Sequence, residues 1–447
     1  MHPMILLRPL GPLCALFVAA CASRPAESVP RETRPEPARA SAESGIVLER
    51  AGRLVADRTV LVALDGTADV VPVSATGAWK VDEQGSTRGF VRGKGSEAWR
   101  VERRGRQLRL AGDGGDTTPW RSGPFVARSM GSGVLLRVGG KRYRGEVVFT
   151  ATDTGLLVVN RLPVEEYLRG VVPLELPTRQ LSDAPALEAQ AIAARSYTYQ
   201  RVTAGTIPPS GWHVTATIQH QVYGGVEVEH PVVDAAIGAT TGLVLQFAGR
   251  LVDAPYFASC GGRTAGPREA WHDGRDAAHL RPVDDMDPRT GRPYCDLSPR
   301  NQWTAEFDET QLGEIVARAL RAQGPLMRPA SGRAPRLRAF TIGERTPSGR
   351  ASAIVLRTDA GEFSISARDI RPLLRDARGA ALPSTYFSVV REARAGGRLS
   401  GLTLRGVGHG HGVGMCQWGA IGRARAGADA RAILRHYYPG TVVGFAD

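Results

Sequence analysis

The sequence predicts an α+β protein: a small β-rich module followed by a larger domain of mixed strands and helices. Three observations lead there. From about Gly45 to Lys141, short alternating or apolar stretches recur between Gly, Asp and Arg turns, which is strand spacing. The stretch from Pro185 to Tyr199 is rich in alanine, which favours helix. Beyond residue 308, an apolar stripe at helical spacing is followed by further strand-like runs.

The elements follow in order. Residues 1–20 hold Ile5-Leu6-Leu7 and the apolar stretch Leu13 to Ala20 behind Arg8. This is too short and too broken by proline to span a bilayer, and it suits a signal peptide. It ends Val18-Ala19-Ala20-Cys21, a lipobox pattern, so Cys21 is expected to carry lipid. Residues 21–45 then form a lipidated tether, rich in Ala, Arg, Pro, Ser and Glu and without apolar periodicity. Residues 46–141 form the β-rich module, with strands expected at Thr59 to Leu64, Ala98 to Glu102 and Gly133 to Val138. It carries no catalytic constellation and reads as a spacer, a surface-binding unit or plain structural support.

Residues 142–447 form the mixed domain. Tyr143 to Asn160 reads as two strands about Asp153-Thr154-Gly155, and Val164 to Val172 as a short helix. After the Pro185–Tyr199 helix, Val232 to Ile237 fits helix or strand equally, and Gly242 to Phe247 fits a strand. Residues 308–322 put Leu312, Ile315, Val316, Ala319 and Leu320 on one side of a helix. Strands are expected at Arg338 to Ile342, Ala353 to Arg357 and Gly361 to Ser366, and a last helix at Ala428 to His436.

Composition narrows the partners. The net charge of +13 comes mostly from arginine and suits an anionic wall or membrane surface. The sequence holds neither a nucleic-acid motif nor an interleaved aromatic platform, so nucleic acid is not an expected partner.

Two segments carry chemistry. In Val171-Val172-Pro173-Leu174-Glu175-Leu176-Pro177 a carboxylate sits among apolar residues, where desolvation raises its pKa toward the range a general acid needs. From Gly406 to Ala420, glycine stands at nearly every second position and frames His409, His411, Cys416, Gln417 and Trp418. Core packing does not call for that composition, whereas a binding surface does. The cysteines divide by position. Cys14 leaves with the leader and Cys21 takes lipid, which leaves Cys260, Cys295 and Cys416. In an oxidising compartment two of the three should pair, and Cys260 with Cys295 is the natural disulfide by spacing. The competing reading is zinc on Cys260, Cys416 and His409 or His411, although no tight CxxC or HExxH pair is present.

Six stretches, RLPVEEYLRGVVPLELP, ALEAQAIAARSYTYQ, QVYGG, YFASCGGRT, GHGVGMCQWGA and ILRHYYPGT, occur in the order found in the SpoIID/LytB family, which the chain resembles from about Tyr143 to Phe445. The resemblance implies a SpoIID-like mixed domain acting on peptidoglycan. Glu175 falls on the position of the family's catalytic acid in a lytic transglycosylase, and other members are described as enhancers of cell-wall amidases. Arg195 is then expected to orient a substrate group, and Tyr197, His409, His411 and Gln417 to line sugar subsites. Peptidoglycan glycan strands are the implied partner, together with the membrane through the lipid and a cell-wall amidase in the enhancer reading. No cofactor is required; zinc is the alternative, because some members are thought to hold a metal near the active site. The chain departs from the family at Glu188, where relatives often have lysine, at Phe257-Ala258-Ser259, which lacks a common histidine, and in a longer stretch through Ser182 to Pro185.

Cys21→Ala is expected to release the protein from membrane fractions. Unchanged partition on fractionation would remove the lipobox reading.

Overall fold

The computed structural model describes residues 47–50, 53–56, 58–64, 68–86, 90–202, 208–271, 274, 276–322, 335–376 and 378–446, with backbone alone at 47–50 and 53–56. The expected leader, Cys21 and tether lie outside these residues. The architecture is α+β, with a strand-dominated first part and helices concentrated after residue 163.

A hairpin of 47–50 and 53–56 precedes two larger sheets in the first part. One runs in the spatial order 141–143, 136–138, 70–75, 99–104, 107–112. The other has seven strands in the order 214–215, 59–63, 156–163, 146–151, 125–129, 79–83, 91–93. Val73, Val101, Leu110 and Leu136 from the first sheet and Trp79, Phe125 and Phe149 from the second belong to one continuous core. The boundary expected between residues 141 and 142 falls inside the strand Lys141–Tyr143. The seven-stranded sheet crosses that point too, since Leu156–Pro163 pairs antiparallel with Thr59–Ala63. Its alternating apolar side chains need a covered face, and the early strands supply it.

Leu156–Pro163 feeds directly into helix α1, Val164–Glu175. The helix continues past the expected Val172 although Pro173 lies within it. Proline removes one N–H bond, and the chain makes a later one: Leu176 N–H donates to Val172 O at 3.0 Å. Helix α2, Ala184–Arg201, buries Ala186, Leu187, Ala189, Ala191, Ile192, Ala193 and Ala194, so its surface is covered nearly all round. Its alanines let neighbouring helices approach closely. Helix α3, Pro231–Ala239, settles the ambiguous Val232 to Ile237 as helix, with Pro231 at its first turn and His230 capping Val232 N–H. The chain closes by pairing Val442–Phe445 with Leu243–Phe247.

Past the short helix α4, Pro267–Ala270, residues 303–404 gather around a second core. Helix α5, Glu309–Ala322, buries Leu312, Ile315, Val316 and Ala319, as the expected stripe requires. It packs with helix α6, Ala367–Leu373, and two three-stranded sheets, of 302–308, 398–407 and 387–395 and of 337–342, 353–358 and 361–366. The strand Arg398–Val407 runs straight into the glycine loop. Helices α7, Gln417–Arg425, and α8, Ala430–Tyr437, then return to the first core.

One buried ion pair ties this arrangement together. Arg195 on α2 is 0 % exposed, and its guanidinium donates to Glu165 of α1 through Nε (2.7 Å) and Nη2 (2.8 Å). Nη1 donates to Leu243 O at 3.0 Å, and Glu165 also accepts from Gly242 N–H at 3.1 Å. Arg195→Ala removes the cation beside a largely covered carboxylate and is expected to destabilise the fold by about 3–5 kcal/mol, measured by chemical denaturation. A loss near zero would show that the pair does not carry this junction.

Candidate active site

Glu175 is the last residue of α1 and is partly exposed. Burial among apolar neighbours pushes its carboxyl above the ordinary value of 4.5. Two donors act the other way: Val222 N–H reaches Oε1 at 3.1 Å and Gln417 Nε2 reaches Oε2 at 3.4 Å. Its place at a helix C-terminus also favours the neutral form, because the backbone dipole there is negative. Among the described residues Glu175 forms no ion pair. A carboxyl held by neutral donors, with no cation pinning it as an anion, can both give and take a proton.

The segment Gln221 to Gly225 supplies the first donor. Tyr223 anchors it to the sheet, its hydroxyl donating to buried Asn160 Oδ1 at 2.8 Å. Gly170 of α1 makes room for the Tyr223 ring, since a Cβ there would overlap the ring atoms. Gln221 is fully buried and acts as a hub. Its Oε1 accepts from Tyr167 Oη (3.1 Å) and Thr198 Oγ1 (2.9 Å), and its Nε2 donates to Tyr256 Oη (2.9 Å). Tyr256 is held neutral first by burial and then by the negative charge of Glu175 nearby. Accepting from Gln221 leaves its own O–H free to be donated.

The glycine loop supplies the second donor. The strand Tyr256–Phe257 pairs parallel with Met415–Cys416, which sets the two glycine-rich motifs side by side. Gly414 has φ of 79° and passes against the Pro255 carbonyl, where no side chain would fit. Cys416 then caps α7, with its Sγ accepting from Gly419 N–H at 3.3 Å. Gln417, the first residue of α7, faces both Glu175 and Gln190 Oε1, the latter at 3.4 Å.

The expected site residues separate in space. Gln417 touches Glu175. Tyr197 is partly exposed, lies 6.5 Å from the Tyr256 ring and carries the Arg201 guanidinium over its face at 3.3 Å. Burial raises its pKa, the Arg201 charge opposes that, and the Asp253 and Glu175 charges add to the rise. His411 Nδ1 accepts from Val413 N–H at 3.1 Å, so its Nε2 carries the proton and donates to Tyr256 O at 2.9 Å. Burial lowers His411 to about 4, so this imidazole is neutral at ordinary pH. It braces the backbone under Tyr256. His409 pairs through its backbone with Ser259, and burial lowers its pKa as well. Arg195 is the buried partner of Glu165, away from solvent. Cys260, Cys295 and Cys416 converge as free, buried thiols, with the first two sulfurs 3.5 Å apart.

Comparison with known proteins matches the family model described as stage II sporulation protein, SpoIID, to residues 152–247, the stretch that holds α1, α2, Glu175 and Gln221. The amidase enhancer of Bacillus subtilis is 29% identical over 299 residues, covering 62% of this chain and 40% of the relative. Stage II sporulation protein D of Bacillus amyloliquefaciens is 27% identical over 305 residues, covering 65% of this chain and 76% of the relative. The chain carries a SpoIID domain, and its similarity to SpoIID/LytB proteins runs well beyond that domain. An uncharacterised protein of Brachyspira hyodysenteriae is 29% identical over 305 residues, covering 67% of this chain and 72% of the relative. Residues 296–414 match a domain of unknown function, which coincides with the second core.

Sequence reasoning missed Gln221, Tyr256 and Gln190 as members of the Glu175 surroundings. Gln221 and Tyr256 each open a stretch quoted for the family resemblance, which was the available signal. Nothing local tells that a glutamine 46 positions beyond Glu175 is a buried hub.

The raised pKa of Glu175 has a signed consequence for stability. A carboxyl whose folded pKa exceeds its unfolded value favours folding in its protonated form. That contribution is whole below 4.5 and disappears as pH rises through the folded value. The wild type is therefore expected to lose stability relative to Glu175→Gln over that interval in melting curves taken across pH. Parallel curves would show that Glu175 titrates as a solvated side chain.

Proposed function

We propose that this protein is a lytic transglycosylase of peptidoglycan, with Glu175 as its single acid and base. The observation that carries the reading is the setting of Glu175: partly exposed, desolvated, held by two neutral donors and unpaired with any described cation. Neutral Glu175 gives its proton to the glycosidic oxygen between MurNAc C1 and GlcNAc C4, and the C1–O bond breaks. The carboxylate so formed takes the proton of the muramic C6 hydroxyl as that oxygen bonds to C1. The products are a free GlcNAc 4-hydroxyl and a 1,6-anhydro sugar, and Glu175 is neutral again. The two-carboxylate scheme of hydrolases is not needed. Glu165, ten residues earlier on the same helix, is held by Arg195.

Val222 N–H and Gln417 Nε2 aim the carboxyl and stabilise it in the anionic phase of the cycle. Tyr256, with its O–H available, and the exposed part of Tyr197 border the same carboxyl and are the proposed sugar contacts. The apolar leader ending at Cys21 supports export and a lipid anchor at the envelope. No helix among the described residues is long and apolar enough to cross a membrane.

A second reading is non-catalytic activation of a cell-wall amidase, favoured by the relative named amidase enhancer. Purified glycan strands separate the two readings. The wild type is expected to release 1,6-anhydro muropeptides, and Glu175→Gln to lower that rate by about two to four orders of magnitude without lowering the melting temperature. Release by Glu175→Gln at the wild-type rate would remove Glu175 as the acid. No release by either protein, with firm wall binding, would favour the amidase reading.

A further inference from the structure

Beneath the glycine loop, four donor atoms from three separate segments meet. The Sγ atoms of Cys260, Cys295 and Cys416 and a carboxylate oxygen of Asp285 all lie within 4.8 Å of one another, and all four residues are buried. Neither His409 nor His411 is in this group. We propose that Cys260, Cys295, Cys416 and Asp285 form a closed, structural zinc site that sets the start of α7.

The geometry fits the ion. Tetrahedral zinc with Zn–S of about 2.3 Å and Zn–O of about 2.1 Å places ligand atoms about 3.5–3.8 Å apart. Cys260 Sγ lies 3.5 Å from Cys295 Sγ and 3.3 Å from Asp285 Oδ2. Three thiolates and one carboxylate suit zinc over harder cations, and four buried protein ligands leave no open position for water.

The surroundings already supply donors to the ligand sulfurs. Backbone N–H groups point at sulfur: Cys260 N at 3.2 Å and Gly419 N at 3.3 Å from Cys416 Sγ, and Gly262 N at 3.3 Å from Cys260 Sγ. A neutral thiol accepts only weakly, so these contacts gain most when metal binding releases the thiol protons. Asp285, 0 % exposed, is fixed by Arg423 Nε to Oδ1 at 2.9 Å and by Tyr437 Oη to Oδ2 at 2.8 Å, the outer support a ligating carboxylate needs. Arg350 is buried beside the cluster and donates to Cys260 O at 3.0 Å. Three thiolates and Asp285 carry four negative charges; Zn²⁺, Arg423 and Arg350 carry four positive ones. A disulfide would use two of the sulfurs and leave the third as a buried thiol beside a carboxylate already paired with Arg423.

The site reaches the reacting carboxyl through one residue. Cys416 immediately precedes Gln417, whose amide faces Glu175. Cys260 follows the strand that carries Tyr256, and Tyr294 beside Cys295 packs against Gly422 of α7. Zinc would therefore pin both donor-bearing motifs to one loop. The site stands whether or not Glu175 is catalytic, because its metal can be measured without turnover.

The test uses the full chain. Metal analysis of the wild type is expected to give about one zinc per chain, with Cys260, Cys295 and Cys416 all alkylated in non-reducing peptide maps only after unfolding with chelator. Cobalt(II) in place of zinc is expected to give thiolate charge-transfer bands and the intense d–d bands of a tetrahedral site. Cys295→Ser and Asp285→Asn are expected to lower zinc content and melting temperature together. A metal-free protein with Cys260 bridged to Cys295 or Cys416 would overturn the proposal, even if the variants fail to fold. Zinc retained in full by folded Cys295→Ser would overturn this ligand set.

Discussion

A guanidinium shut away from water keeps its charge only beside a carboxylate that satisfies it, and Arg195 has Glu165. The pair joins α1 to α2, and its remaining bonds reach Gly242 and Leu243 at the start of the strand that receives the C-terminus. Both helices are thereby placed on the sheet that launches α1. Glu175 lies ten residues beyond Glu165 on the same helix, so its position is inherited from that lock. The reacting carboxyl needs no strong partner of its own and can remain a proton carrier.

The environment of Glu175 follows from this division of labour. Permanent charges are consumed in pairs outside the site, as in Arg195 with Glu165, Arg169 with Asp234 and Arg425 with Asp183. What faces Glu175 is neutral: a peptide N–H and an amide. In a desolvated pocket a cation would hold the carboxyl ionised, whereas neutral donors orient it and leave the proton exchangeable. The tyrosines around Gln221 extend the same chemistry, with hydrogen bonds that fix geometry without adding charge.

The second core has a mechanical part in this arrangement. Its longest strand, Arg398–Val407, delivers the glycine loop, and the loop returns as a two-residue strand beside Tyr256. A stretch this rich in glycine has little conformational preference of its own. It holds one path because both ends are clamped, by the second core before it and by the buried sulfur cluster and α7 after it.

The sequence by itself determined the α+β class and the helices at α1, α2, α5 and α8, because apolar periodicity and alanine content are local properties. It also singled out Glu175, because one acidic residue between prolines and aliphatics is conspicuous in a single chain. Tertiary structure alone decided the company Glu175 keeps. Gln221, Tyr256 and Gln417 come from segments up to 242 residues away, joined by strand pairing and buried hydrogen bonds that leave no trace in local pattern. It decided too that Arg195 is an internal counterion and that Asp285, one of several aspartates in its loop, meets three sulfurs. Burial settles both, and burial is a property of the packed chain: the same arginine or aspartate at the surface would have looked no different in the sequence.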